Sequence, residues 1–229
     1  MNFWQRVRLA RARRATRLPL QRQLLEHPSQ PARTARLAEL ELLALDFETT
    51  GLDPQHDHVI AAGWVRIVAG DRIVLSSARE LRVQTPRPEG VGQSAVIHGI
   101  LDSDLDGAGD ASTLIEALLP DLAGRVVVAH AAAIERTFLG RLLRGLGGVP
   151  VLNPFVDTLA LEQRLLEAGG GTAREQHDDV TLDACRRRRG LPEHPHHSAA
   201  ADALACAELL LAQVAQFGGP AQVRLADLR

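Results

Sequence analysis

Short apolar runs and amphipathic segments alternate along most of this sequence. Three apolar runs of strand length come first, at 41–47, 58–68 and 72–83, and a turn at 69–71 joins the second run to the third. A fourth run, at 125–130, follows later among segments with helical spacing. Consecutive strands followed by strands that alternate with helices predict an α/β domain with a mixed central sheet.

Amphipathic segments separate or follow the later strands. Apolar residues recur in them three or four positions apart, and glycines follow several of them, as at the C-terminal ends of helices. Helices are predicted at 112–122, 135–146, 181–190 and 196–217, and a short strand and a helix share residues 155–168.

Basic residues are concentrated at the start of the chain. Residues 1–38 contain nine arginines and one acid, so their net charge is +8, and the remainder carries −10 to give the overall −2. We therefore expect three sections: a basic, helical N-terminal arm at 1–38, a globular domain at 39–217 and a C-terminal tail at 218–229. The arm is either a solvated helix packed on the domain or a contact for phosphate backbones or a partner protein.

The composition narrows the classes of function. Aromatic residues make up 3% of the chain and tyrosine is absent, which argues against a long base-stacking groove but leaves room for a pocket for one or two nucleotides. Cys185 and Cys206 are the two cysteines; without a CxxC pair they fit reduced core residues of a cytoplasmic protein better than a zinc site. No apolar run reaches the ~18 residues of a membrane span, so we expect no membrane partner.

Two carboxylates close the first predicted strand. Asp46 and Glu48 are two positions apart, so both point to one face of the sheet. Their mutual repulsion is relieved only by a proton or a cation, and Mg²⁺ prefers such oxygen ligands. The pattern therefore indicates a divalent-cation site at a strand end. The alternative is a solvated strand end, which the flanking apolar residues disfavour.

A histidine and an acid lie near the start of the last predicted helix. His197 precedes Asp202 by five positions. An imidazole can take a proton from water near neutral pH, so His197 is a candidate general base. On its own, this spacing has little specificity.

Six segments, in this order, resemble the DEDDh exonuclease family, typified by the proofreading epsilon subunit of bacterial DNA polymerase III. The resemblance covers about residues 41–215 and leaves the basic arm outside. The segments are LDFETTGLD (45–53), VIHGI (96–100), VVVAHAAAIERTFL (126–139), DTLAL (157–161), TLDACRRRRGL (181–191) and HHSAAADALACAELLL (196–211).

The resemblance implies a ribonuclease H-like fold and the release of nucleoside 5′-monophosphates from the 3′ ends of DNA or RNA. It implies catalysis with two divalent ions, Mg²⁺ or Mn²⁺. The acids that match the metal ligands of the family are Asp46, Glu48, Glu135 and Asp202.

The same resemblance also implies a general base, residues that contact the substrate and a protein partner. His197 corresponds to the general base, while Thr49, Leu52 and His98 correspond to residues that contact or border the terminal nucleotide. Asp157 corresponds to a strand-end residue that is not a ligand. The chain shows no polymerase domain of its own, so a proofreading role would require a DNA polymerase or another protein, for which the basic arm is a candidate contact.

The second motif departs from the family pattern. Where the family reads H-N-x-x-F-D, this chain has Ala131 in place of Asn and Glu135 in place of Asp. Glu is longer by one methylene and Mg²⁺ geometry is demanding, so either the backbone sits further back or the carboxylate reaches the ion through water. An exposed surface acid beside Arg136 is the other interpretation of Glu135.

Two further functions therefore remain open. The changes in the second motif are compatible with a nuclease-like module that binds nucleic acid without cutting it. A structural subunit whose arm does the main work would leave the acids unexplained. The pattern does not distinguish DNA from RNA.

Overall fold

The computed structural model describes residues 3–26, 31–84, 90–168, 180–194 and 198–228. Within these ranges the chain forms five strands and eight α-helices, along with short 3₁₀ segments. The strands are β1 (Glu41–Thr49), β2 (Val59–Val68), β3 (Arg72–Arg82), β4 (Val126–Ala129) and β5 (Phe155–Asp157). The helices are α1 (Phe3–Ala15), α2 (Pro19–Glu26), α3 (Ala95–His98), α4 (Ala111–Leu122), α5 (Ala133–Gly145), α6 (Thr158–Ala168), α7 (Leu182–Arg188) and α8 (Ala199–Gln216).

The strands form one mixed sheet in the order β3-β2-β1-β4-β5. β1, β2 and β3 pair antiparallel, whereas β1, β4 and β5 run parallel. The carboxyl ends of the three parallel strands therefore meet at one edge of the sheet, where ligand crevices form in such folds. We call this the carboxyl edge and the other side the amino edge.

Helices cover both faces of the sheet, which explains why β1 is apolar on both sides. Its alternate residues Leu42 and Ala44 pack toward α6 and α8, while Leu43 and Leu45 pack toward α4 and α5. Because side chains alternate along a strand, Asp46 and Glu48 continue the row that faces α8.

A glycine sets the distance between α8 and the sheet. A Cβ added to Gly63 in β2 would lie 2.0 Å from the carbonyl carbon of Ala199, the first residue of α8. Real Cβ atoms do not approach a backbone that closely, so only glycine lets the start of α8 rest directly on β2. This contact places the first turn of α8 beside the end of β1.

α8 also has the length and apolarity of a membrane span, with a mean hydropathy of 1.2. Half of this helix is buried against the sheet, as in the core helix of a soluble protein, so its composition is weak evidence for a membrane.

Residues 33–37, which follow α2, pack against residues 223–226, which follow α8, at the core. The backbone N–H of Leu37 donates to Val223 at 2.9 Å, and that of Ala226 donates to Arg33 at 2.8 Å. The side chains of Leu37, Leu225 and Val223 are buried in the same cluster as the α8 face of the sheet. The segment after α2 and the segment after α8 therefore cover one end of this core jointly.

Candidate active site

Three acids converge at the carboxyl edge of the sheet. Asp46 and Glu48 come from β1, and Asp202 comes from the first turn of α8. Each offers one carboxylate oxygen, and these oxygens lie within 4.8 Å of one another. All three side chains are partly buried, so the cluster is a shielded group of like charges rather than a solvated surface.

A fourth acid lies across the sheet from this group. Asp46 pairs in register with Gly63 on β2, and Gly63 pairs with Glu80 on β3. Glu80 Oε2 accepts hydrogen bonds from the Ser198 hydroxyl at 2.5 Å and from the backbone N–H of Ala200 at 3.0 Å. It thus satisfies a free N–H at the start of α8 and holds the turn that carries Asp202.

Glu135 approaches the cluster from the other side. It lies in the first turn of α5 and is only 3% exposed, so the interpretation as a surface acid is wrong. Its Oε2 atom is buried and has no hydrogen-bond partner among the described residues. Glu135 is not among the three acids whose oxygens lie within 4.8 Å of one another, yet its charge acts on Asp46.

The turn that presents Glu135 has an unusual backbone. Ala131 has a φ of +67°, in the left-handed region that Asn and Gly adopt more readily than Ala. Asp157, at the end of β5, holds this turn by accepting the backbone N–H groups of Ala131 and Ala132, both at 3.0 Å. Asp157 therefore orients the start of α5, at the strand-end position expected from its motif.

Burial and mutual repulsion shift the titration of these acids. Burial, and then the charges of Glu135, Glu48, Asp202 and Glu80, raise the pKa of Asp46 well above its usual value. Burial, and then Asp202 and Glu80, raise the pKa of Glu48 to about 7. Burial raises the pKa of Glu135 to about 8, with a smaller effect from Asp157. The site therefore retains protons near neutral pH unless a cation replaces them.

A histidine outside the predicted set contacts the cluster. His194 Nε2 lies 2.7 Å from Asp202 Oδ1, and its Nδ1 lies 3.3 Å from Asp183 Oδ1 on α7. The sequence shows three histidines in the run EHPHHS (193–198), but no spacing rule singles out His194. His197, the candidate base, lies outside the described residues.

The three predicted substrate residues differ in their surroundings. The Thr49 hydroxyl donates to the Gly51 carbonyl at 2.8 Å, and the Leu52 side chain is 75% exposed just beyond β1. His98 is buried, and its Nδ1 accepts the backbone N–H of Ile100 at 3.1 Å. Leu52 is thus available for contact, whereas the ring of His98 faces inward.

Residues 43–210 match a family model described as Exonuclease (RNase_T). The chain belongs to this exonuclease family. The match confirms the DEDDh resemblance derived from the motifs and spans most of the domain.

Relatives and solved structures agree with this family. The PolC-type DNA polymerase III of Thermotoga maritima is 30% identical over 174 residues, which cover 74% of this chain and 11% of that protein. The PolC-type polymerase of Clostridium perfringens is 27% identical over 174 residues, with the same coverage. The chain thus spans about a tenth of the length of these relatives.

Two solved exonuclease complexes share the fold. Exonuclease X with a 5′-overhanging duplex DNA has a TM-score of 0.61 at 22% identity, covering 82% of this chain and 98% of that one. E. coli Exonuclease I with a dT13 oligonucleotide has a TM-score of 0.62 at 15% identity, covering 74% and 40%. With the mixed sheet described above, they confirm the ribonuclease H-like architecture.

The acids of this exonuclease domain fit a divalent metal. Three carboxylate oxygens lie close enough to share an ion, and the unpaired Oε2 of Glu135 is a buried acceptor that needs a positive charge or a donor. Hard cations prefer such an all-oxygen donor set. Family membership and this cluster together indicate an activity that depends on a divalent metal.

Proposed function

We propose that this chain is a 3′-to-5′ exonuclease that releases nucleoside 5′-monophosphates from nucleic acid with a free 3′ end. The observation that carries the proposal is the convergence of Asp46, Glu48 and Asp202 from two distant elements to within 4.8 Å. Such a cluster repels a phosphodiester unless cations reverse its field, and metal-dependent phosphoryl hydrolysis uses this arrangement.

The proposed metal ligands are Asp46, Glu48, Glu135 and Asp202, holding two ions of Mg²⁺ or Mn²⁺. Bound there, the ions would lower the pKa of the attacking water and neutralise charge on the phosphate and the leaving oxygen. Asp46 is the central ligand in this proposal, because the charges of the other three acids all act on it. Glu135, from the first turn of α5, would be the fourth ligand.

The remaining steps fall to residues around the acids. His197 directly precedes Ser198, which Glu80 holds at the start of α8. Because His197 corresponds to the general base in the family resemblance, we assign it the removal of a proton from the attacking water. Thr49 and the exposed Leu52 side chain would contact the terminal nucleotide. His98 would border that site without touching the nucleotide, because its ring is buried and accepts the backbone N–H of Ile100.

The proposal is tested with 5′-labelled single-stranded DNA and RNA of equal length. With Mn²⁺ or Mg²⁺ we expect a ladder of products shortened from the 3′ end, and with chelator we expect intact substrate. The matched variant is Asp46→Asn, which keeps the shape of the side chain and removes its charge. A ladder from Asp46→Asn equal to that of the natural chain would contradict the assignment.

A module that binds without cutting is the second candidate, and Glu135 with Ala131 is the observation that favours it. In the same assay it would retain the labelled strand on a filter while leaving its length unchanged in every metal. The comparison of DNA with RNA also decides the sugar preference.

A polymerase is the proposed protein partner, and the compartment would be the cytoplasm. Support comes from the PolC-type relatives, in which the matched region is 11% of a polymerase chain. Co-elution of this chain with the replicative polymerase of its own cell in gel filtration tests the association. Separate elution at concentrations well above cellular ones would contradict it.

A further inference from the structure

We propose that the exposed face of α1 is a second nucleic-acid site that binds the phosphate backbone away from the scissile end. The face consists of four arginines, Arg6, Arg8, Arg11 and Arg14, which we call the α1 arginine face. The proposal rests on the proposed function only in taking a nucleic acid as the ligand.

The helix that carries this face is attached to the domain through α2. Gln21 on α2 is buried; its amide donates to the Val149 carbonyl at 2.6 Å and accepts the Val149 N–H at 2.9 Å. Its Oε1 atom also accepts the Thr16 hydroxyl at 2.7 Å, just after α1. Leu9 and Ala12 of α1 are buried as well. α1 is thus a docked element with one inner and one outer face.

Two other arginines in this region have structural roles. Arg13 donates to the carbonyls of Leu25 and Glu26 at the end of α2, at 2.7 and 2.9 Å. Arg22 donates to the Thr16 carbonyl at 2.9 Å. These two side chains fasten the hairpin of α1 and α2, whereas the α1 arginine face makes no ion pair with any acid in the part of the chain described here.

The spacing within the face is unfavourable without an anion. Arg8, Arg11 and Arg14 follow one another at three-residue intervals, so like charges neighbour each other on the helix surface. α1 contains no acid to offset them. Four charges within about 12 Å of helix, at 1.5 Å per residue, match a polyanion, and each phosphate bound would relieve this repulsion.

Two aromatic rings extend the same surface. Phe3 and Trp4 are 69% and 72% exposed and meet edge to face with ring centroids 5.5 Å apart. Exposed aromatic faces beside arginines are suited to stacking with unpaired bases. The surface therefore combines both kinds of contact that a single strand offers.

The attachment point places this surface away from the acids. Gln21 contacts Val149, which precedes β5, so α2 docks at the amino edge of the sheet. Asp46 and Glu48 are the sixth and eighth residues of β1, so five to seven residues separate them from that edge, about 17–23 Å at the rise of a strand. A long strand can engage both sites at once, whereas a trinucleotide in the acidic site cannot.

The test replaces the four arginines of the α1 arginine face with glutamine, which keeps helix propensity. A matched control replaces four exposed arginines elsewhere, Arg33, Arg72, Arg187 and Arg224, so that net charge changes equally. We expect the slope of log Kd against log salt for a long single strand to fall by about 3 in the first variant, at ~0.7 per phosphate contact, and to change little in the control. Turnover of a trinucleotide should be the same in both variants.

Equal salt slopes in the arginine-face variant and the control variant would overturn the proposal. An arginine-face variant that keeps the salt slope of the natural chain but no longer binds the polymerase would also overturn it, because the face would then be a protein contact. A second variant, Phe3→Ala with Trp4→Ala, should weaken binding without changing the slope. Circular dichroism of each variant verifies that α1 still folds. If the natural chain binds with an α1-dependent slope but cuts nothing, the proposed function fails while this inference stands.

Discussion

At the scale of single residues, the site is governed by carboxyl groups that are close together and shielded from water. Asp46, Glu48 and Glu135 all have raised pKa values, and burial is the largest cause for each. The protonated forms are therefore favoured in the folded chain relative to the unfolded chain. A divalent ion would replace these protons, so the metal content and the pH dependence of the site are linked.

This linkage predicts the stability of the metal-free chain. Because Glu48 and Glu135 bind more protons in the folded chain than in the unfolded one, their contribution to stability should fall as pH rises from the ordinary value near 4.5 through about 7 for Glu48 and about 8 for Glu135. Thermal unfolding in chelator between pH 5 and pH 8.5 measures this, and Mn²⁺ should restore stability at the upper end. Glu48→Gln should flatten the lower part of the profile. A chelated chain that becomes more stable over this range would contradict the raised pKa values.

The general base gives a second prediction at this scale. Replacing His197 with alanine should lower kcat for the Mn²⁺-dependent release of mononucleotides by about 10²–10⁴-fold. His196→Ala removes the neighbouring imidazole and should leave kcat within a few-fold of the natural chain. Mn²⁺ affinity should be similar in both variants, which separates loss of the base from loss of the metal. Equal kcat values for the two variants would remove His197 from this role.

At the scale of elements, the position of α8 relative to β1 and β2 decides whether Asp202 can join Asp46. Two contacts set this position: the absence of a side chain at Gly63 and the hydrogen bonds from Glu80 to the start of the helix. The first sets the distance between helix and sheet, and the second holds the helix start over β3. Metal binding by acids from two elements therefore depends on a glycine that carries no chemistry itself.

Gly63→Ala tests this dependence. Its Cβ would meet the backbone of Ala199, which cannot rotate away as a side chain can. We expect the start of α8 to be displaced, a stability loss of roughly 1–3 kcal/mol by urea unfolding, and weaker Mn²⁺ binding by calorimetry. Gly140→Ala is the control, because its Cβ would have no neighbour nearer than 3.6 Å and it lies within α5. If both variants bind Mn²⁺ as the natural chain does, α8 is not held by this contact.

At the scale of the whole molecule, the elements follow from local patterns, but several contacts between them do not. The apolar run at 41–47 predicts β1 because a strand covered on both faces is apolar throughout, and β1 extends two residues further, to Thr49. The helix predicted at 196–217 is described as α8 from Ala199 to Gln216. Where an element begins and ends is decided by residues next to one another in the sequence, so the local pattern locates these bounds to within a few positions.

Of the site, the acids of β1 and α8 were predicted, while Glu80 was not. The hairpin register that brings Glu80 level with Asp46 contains an irregularity between Trp64 and Arg66. A single irregularity of this kind moves side chains to the other face, so counting from the turn cannot place Glu80. His194 was missed because its contact with Asp202 joins residues eight positions apart, a spacing that neither the helix nor the strand period brings together.

The pairing of the segment after α2 with the segment after α8 is the least local feature and gives the last prediction. Leu225 is fully buried beside Leu37, although 188 positions of sequence separate them. Leu225→Ala should cost about 2–5 kcal/mol of unfolding free energy, as for other large-to-small changes in a core. Leu75→Ala, at a 64% exposed position on β3, should cost far less. Because Leu225 lies away from the acids, kcat per folded molecule should stay unchanged in both variants. A Leu225→Ala protein as stable as Leu75→Ala would mean that the C-terminal segment does not close this core, and that the domain ends with α8.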